Sequence, residues 1–116
     1  MSPRLIDHFQ NPRNVGELPA PALVAEASNP ICGDVLRLSA RVVEKRIVEV
    51  RYKVRGCAAS IAAGSALTEL LEGRDAAALR KLTRDDVEHA VGGLSNESKH
   101  AATLCIDGVR ALLRQL

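Results

Sequence analysis

Aromatic residues are almost missing from this chain. Phe9 and Tyr52 are the only two among 116 residues, and there is no tryptophan. A surface that binds single-stranded nucleic acid by stacking bases on rings therefore lacks its parts. An excess of charge of one sign is missing as well. Sixteen Lys and Arg stand against fourteen Asp and Glu, a net charge of +2, so neither nucleic acid nor a membrane surface is expected as a partner. No apolar run approaches the roughly 20 residues of a membrane span, and no charged-then-apolar leader opens the chain; a cytoplasmic location is the expectation. The sequence also has no internal repeat, no C-x-x-C pair, no Ser-His-Asp arrangement and no glycine motif for phosphate.

What is present is the balance of a globular protein, 47% apolar and 26% charged, at a length that fits one domain over residues 1–116. Residues 2–10 read as a short helix with Ser2 as N-cap and Pro3 in the first turn. Residues 11–22 hold three of the five prolines and read as an extended loop, and 28–34 as a turn-rich segment. Residues 35–43 alternate, with Leu36, Leu38, Ala40 and Val42 on the apolar face of a strand. After a tight turn at 44–46, residues 47–54 form a second strand with Val48, Val50, Tyr52 and Val54 sharing a face, and the two make an antiparallel hairpin.

Beyond Gly56-Cys57 the period changes. Residues 59–73 read as a helix with Ser60 as N-cap and Gly73 closing it; 75–81 form a short helix; Thr83 and Asp86 resemble a capping box that opens another, ending at Gly92-Gly93. A last helix runs from about Glu97 to the end, with Ala101, Cys105, Val109, Leu112 and Leu116 as its apolar stripe. Strands followed by helices point to an α+β fold, a small antiparallel sheet with helices packed on one face.

Cys32, Cys57 and Cys105 are an odd set, widely spaced, which argues against a disulfide framework. Cys32 sits in a turn-rich loop that seldom buries a thiol, and Asp34 offers a carboxylate two residues on. Cys57 lies between a strand end and a helix start, where a thiol can act as nucleophile or ligand, or simply pack. Cys105 on an apolar helical stripe reads by itself as a core residue. His8 and His100 read as surface or partner residues, and His89 as solvent-facing.

Three blocks then resemble a known family. Residues 5–16 (LIDHFQNPRNVG), 29–42 (NPICGDVLRLSARV) and 50–74 (VRYKVRGCAASIAAGSALTELLEGR) resemble the signatures of iron–sulfur cluster assembly scaffolds of the IscU/NifU N-terminal family. The resemblance implies that Cys32, Asp34, Cys57 and Cys105 converge on one exposed site that binds a nascent [2Fe–2S] cluster, or zinc when no cluster is held. It further implies that Cys105 accepts a persulfide sulfur from a cysteine desulfurase, and that cluster acceptor proteins receive the product. Such a chain is a scaffold or carrier rather than an enzyme. Thiolates suit iron–sulfur clusters and zinc, and an exchangeable carboxylate ligand keeps the cargo transferable.

Two departures accompany the match. Leu104 stands where many IscU-type members carry a histidine before the third cysteine, and whether His100 supplies that imidazole is open in the sequence. Residues 94–99 lack the prolines of the family's chaperone-binding segment, which puts an Hsp70-type chaperone partner in doubt. The Cys, Asp, Cys, Cys set without histidine resembles the SufU branch, so the alternative function is a zinc-dependent sulfurtransferase partner of a desulfurase that holds no cluster itself.

Overall fold

The computed structural model describes residues 2–31 and 33–116. Helix α1 spans Pro3–Gln10; the Ser2 hydroxyl accepts from the Leu5 N–H at 3.0 Å, and Pro3 sits in the first turn, where its missing N–H costs nothing. Strand β1 is Leu23–Ser28, β2 is Val35–Val43 and β3 is Arg46–Arg55, joined as one antiparallel sheet in the order β1-β2-β3. Both Glu44 and Lys45 have positive φ, 52° and 67°, the signature of the two-residue turn whose twist matches a hairpin's strands.

The hairpin register explains a departure from the expected faces. Arg41 pairs with Glu49 and Val42 with Ile47, leaving Val48 as the extra residue of a bulge. Ile47 therefore turns into the core, fully buried, and Val48 turns out to solvent, 47% exposed. Strand β1 is absent from the sequence reading. Its composition, Leu-Val-Ala-Glu-Ala-Ser, has only one β-branched residue and two alanines, so propensity gives no strand signal. Pairing with β2 makes it one, from Leu23 opposite Ala40 to Ser28 opposite Val35.

The described residues form five α-helices: α1, then α2 (Ala58–Leu71), α3 (Ala76–Arg80), α4 (Arg84–Ala90) and α5 (His100–Leu113), the last preceded by a 3₁₀ turn at Asn96–Ser98. α2 packs on β3 and α5 crosses β1 and β2, so the helices cover one face of the sheet as expected. α2 is apolar nearly all round because it is the central helix, touched by α1, α4 and α5 as well as the sheet. The approach is close: a Cβ on Gly64 would stand 2.6 Å from the Tyr52 ring, and one on Gly108 of α5 2.8 Å from Leu36. The core between the layers is built on Leu36, Leu38, Ile47, Val50, Tyr52, Leu67, Leu71 and Leu112. Among the described residues no helix is long and apolar enough to cross a membrane.

Local chemistry sets the helix ends. Asp75 caps α3, and the predicted capping box of α4 is present, with Thr83 and Asp86 exchanging backbone bonds. α2 differs from expectation: Cys57, not Ser60, occupies the N-cap position, and Ser60 falls in the first turn. α5 begins at His100 rather than near Glu97.

The segment after α1 ties this architecture together. Tyr52 N–H donates to Asn14 O and Gly16 N–H to Tyr52 O, both at 2.9 Å, so the loop pairs with the free edge of β3. Behind it, His8 is 7% exposed and its Nδ1 lies 2.8 Å from Ser65 Oγ and 3.2 Å from Arg13 Nη1. Desolvation, with the Arg13 cation beside it, pushes the His8 imidazole below its ordinary value against the opposing pull of Glu69 and Asp7. His8 is thus a buried latch between α1, the loop and α2, not the surface residue its sequence context suggests.

Candidate metal centre

The starts of three elements, β2, α2 and α5, meet at one pole of the sheet. β2 starts where β3 stops, since Val35 pairs with Arg55, so the residue before β2 and the residues after β3 are neighbours. The loop into β2 is closed by backbone bonds from Gly33 N–H to Asn29 O at 2.7 Å and from Asn29 N–H to Asp34 O at 2.8 Å. Gly33 takes φ +73° in this loop, a conformation side chains rarely adopt. Asp34 is thereby fixed at the strand entry, Cys57 at the start of α2, and His100 at the first residue of α5.

Their donor atoms form a compact triangle. Cys57 Sγ lies 3.6 Å from Asp34 Oδ2 and 3.4 Å from His100 Nε2, and His100 Nε2 lies 3.4 Å from Asp34 Oδ2. Ligands held at about 2.0–2.3 Å around a tetrahedral ion stand about 3.3–3.8 Å from one another, so the spacing fits one ion. His100 Nδ1 lies 3.0 Å from Glu97 O; with the proton placed there, Nε2 turns its lone pair toward the other two donors, the usual outer support of a ligating imidazole. Burial pushes the Asp34 carboxyl upward. Hydrogen bonds from Ser60, the Cys57 thiol and the Cys57 backbone, with His100 alongside, outweigh it and hold the group below the ordinary carboxylate range. Asp34 is 5% exposed while Cys57 is exposed, and a cleft of about 470 Å³ lined by Ser2, Leu5, Cys57, Ala59, Leu94 and Ser98 opens beside the thiol. A larger groove of about 950 Å³ opens at the other end of the strands, around Pro21, Val42 and Arg46, and among the described residues no cysteine or histidine lines it.

Of the four residues expected to converge, the fold brings Asp34 and Cys57 together, while Cys32 lies outside the described residues. Cys105 is placed elsewhere. It lies five residues into α5, about 7.5 Å along the axis and about 140° round from His100, which turns it to the sheet. It is 1% exposed, and burial pushes its thiol up to about 12. The structure does not bring Cys105 to the triangle that the resemblance implied it would join; it lies on the buried stripe with Ala101 and Val109 that its own periodicity predicts. His100 stands in the triangle in its place. The signal that could have found it is its position as the first residue of α5.

A model of the NifU-like N terminal domain family matches residues 1–115. The chain belongs to this family. It is 49% identical over 109 residues to a bifunctional protein NifU/MnmA of Rubrobacter xylanophilus, covering 92% of this chain and 22% of that protein. It is 39% identical over 109 residues to the iron–sulfur cluster assembly scaffold protein IscU 1 of Archaeoglobus fulgidus, covering 94% and 71%. It is 34% identical over 117 residues to the scaffold protein IscU of Azotobacter vinelandii, covering 97% and 91%. A solved structure from Fervidobacterium islandicum, described as a cluster assembly scaffold protein for the SUF system, matches with a TM-score of 0.77 at 19% identity, covering 97% of this chain and 96% of that one. That likeness concerns the fold. The resemblance read in residues 5–74 is thus the family's, and the α+β architecture is shared with the solved neighbours.

Proposed function

We propose that this chain is a scaffold on which an iron–sulfur cluster is assembled and from which it is passed to acceptor proteins. The observation that carries the reading is the Asp34–Cys57–His100 triangle, set at an exposed pole of a fold whose relatives are named as cluster assembly scaffolds. In this reading Cys32, two residues before Asp34, is the fourth donor, and His100 takes the place that the resemblance implied for Cys105. A site with two thiolates, an imidazole and a carboxylate binds its cargo less tightly than four thiolates do, as a carrier that must release it requires. The cargo is a [2Fe–2S] cluster.

Sulfur arrives from a cysteine desulfurase. The Cys57 thiolate attacks the outer sulfur of the enzyme's cysteine persulfide; an S–S bond forms on Cys57, the enzyme's own S–S bond breaks, and its cysteine leaves as a thiolate. Cys57 suits this role because it is exposed and borders the open cleft. Mass spectrometry after incubation with a desulfurase and cysteine tests the step. We expect persulfide on Cys57 and Cys32, retained in Cys105→Ala; a persulfide confined to Cys105 would refute it.

The spacing of the triangle also favours a second reading. Donors 3.4–3.6 Å apart suit a single tetrahedral zinc ion, as in a sulfurtransferase partner that holds no cluster. Iron and sulfide analysis after anaerobic reconstitution with a desulfurase separates the two. About two irons and two sulfides per chain support the scaffold; zinc retained without iron supports the sulfur relay.

A further inference from the structure

Ser60 touches two of the three donors yet belongs to no ligand set. It is 1% exposed, and its hydroxyl donates to Asp34 Oδ2 at 2.6 Å. With its one proton given to the carboxylate, the Ser60 hydroxyl has none left for Cys57 Sγ, 3.5 Å away, whose own proton is directed at the same Oδ2. Because Cys57 takes the N-cap position of α2, Ser60 falls three residues further on, and its side chain serves the carboxylate instead of capping the helix. Gly56 completes the seat from the other side. A Cβ there would stand 2.6 Å from Asp34 Cγ and 2.8 and 2.9 Å from its two oxygens, and Gly56 does not have the left-handed backbone that otherwise calls for glycine. The missing side chain at Gly56 is a matter of space for the Asp34 carboxylate.

We propose that Ser60 is a positioning residue for metal capture: with Gly56, it fixes the Asp34 carboxylate in the orientation that places Oδ2 beside Cys57 Sγ and His100 Nε2. The inference rests on the reading of Asp34, Cys57 and His100 as metal donors. One oxygen of a carboxylate has lone pairs for both a hydroxyl and an ion, so the Ser60 bond persists while the ion is held. A ligating carboxylate without such a partner rotates freely, and the ordering cost falls on binding. Loss of a hydrogen bond behind a ligand typically weakens a metal site about 10–100-fold. A serine that merely fills a buried space would affect stability and leave the Asp34 contribution to binding unchanged.

The test is zinc affinity of the whole chain, read by competition with a chromophoric chelator, for wild type, Ser60→Ala, Gly56→Ala, Asp34→Ala and the two double variants with Asp34→Ala. Circular dichroism checks the fold of each. We expect Ser60→Ala and Gly56→Ala each to weaken zinc about tenfold, and both effects to vanish once Asp34 is alanine. If Ser60→Ala fails to fold, Gly56→Ala carries the same comparison, since it displaces the carboxylate without emptying a buried site. Affinity unchanged in the single variants, or a loss that persists in full without Asp34, overturns the role of Ser60 and Gly56. Wild type that binds no zinc, or binds it equally after Asp34→Ala, overturns the donor assignment itself.

Discussion

The placement of Cys105 can be tested by chemistry that asks nothing of the metal. Its thiol is pushed up to about 12 from an ordinary 9.0. At neutral pH that leaves about one thiol in 10⁵ ionised, against about one in 10² for an unperturbed group, a thousandfold loss of the reactive form before access is considered. Access is closed as well, at 1% exposure beneath the sheet. A short pulse of iodoacetamide on the native metal-free chain, followed by peptide mass spectrometry, should label Cys57 and leave Cys105 unmodified. Labelling of Cys105 should appear only when denaturant opens the core. Cys105→Ala should cost about 1 kcal/mol, the loss of one buried methylene-sized group with its cavity, and lower Tm by about 4 °C. Its zinc affinity should equal that of wild type, whereas His100→Ala should bind markedly less. Labelling of native Cys105 at the rate of Cys57, or a Cys105→Ala chain that loses its metal while staying folded, would show that α5 turns this residue to the site and not to the sheet.

Two further outcomes follow from the packing. The folded pKa of His8 lies below 6.5, so the unfolded chain takes up the proton first; stability is full above about 6.5 and falls as pH drops through the lowered value. Urea midpoints at about pH 7.5 and about pH 5 should separate for wild type and converge for His8→Asn, and an equal acid loss in both chains would exclude His8 as the titrating group. Gly64→Ala should destabilise by about 1–3 kcal/mol, because the Tyr52 ring 2.6 Å from the added Cβ is pinned by its hydroxyl's 2.9 Å bond to Ile61 O; a thermal melt unchanged from wild type would mean that α2 can lift from β3.

The parts of the fold governed by local chemistry were legible from sequence. Ser2 caps α1, Thr83 and Asp86 form their box, and β2 runs over its predicted residues because each depends on neighbours a few positions away. The parts that tertiary pairing decides were not. An alanine-rich segment becomes β1 only because β2 offers it an edge, and Val48 leaves the core because the register slips by one residue at Arg41. The site divides the same way. Asp34 and Cys57 belong to short motifs beside strand ends and could be named. His100 stayed an open candidate, since no side chain caps α5 and its first residue is fixed by the 3₁₀ turn that precedes it. Resemblance to the family implied Cys105, whereas the fold sets His100 beside the other two donor atoms.

The three donors sit far apart along the chain: Cys57 is 23 residues from Asp34 and 43 from His100. In the unfolded chain their meeting is an improbable event, so an ion finds all three only after the sheet and both long helices have formed. On the proposed reading, cargo acts as a ligand of the native state alone. At a free concentration a hundredfold above its dissociation constant, it adds about 2.7 kcal/mol to the folding free energy. The loaded chain should accordingly resist proteolysis better than the empty one. On the proposed reading, each hand-over returns the pole formed by the starts of β2, α2 and α5 to its weaker, unliganded condition, and hydrogen exchange reads delivery as a change in how often that pole opens.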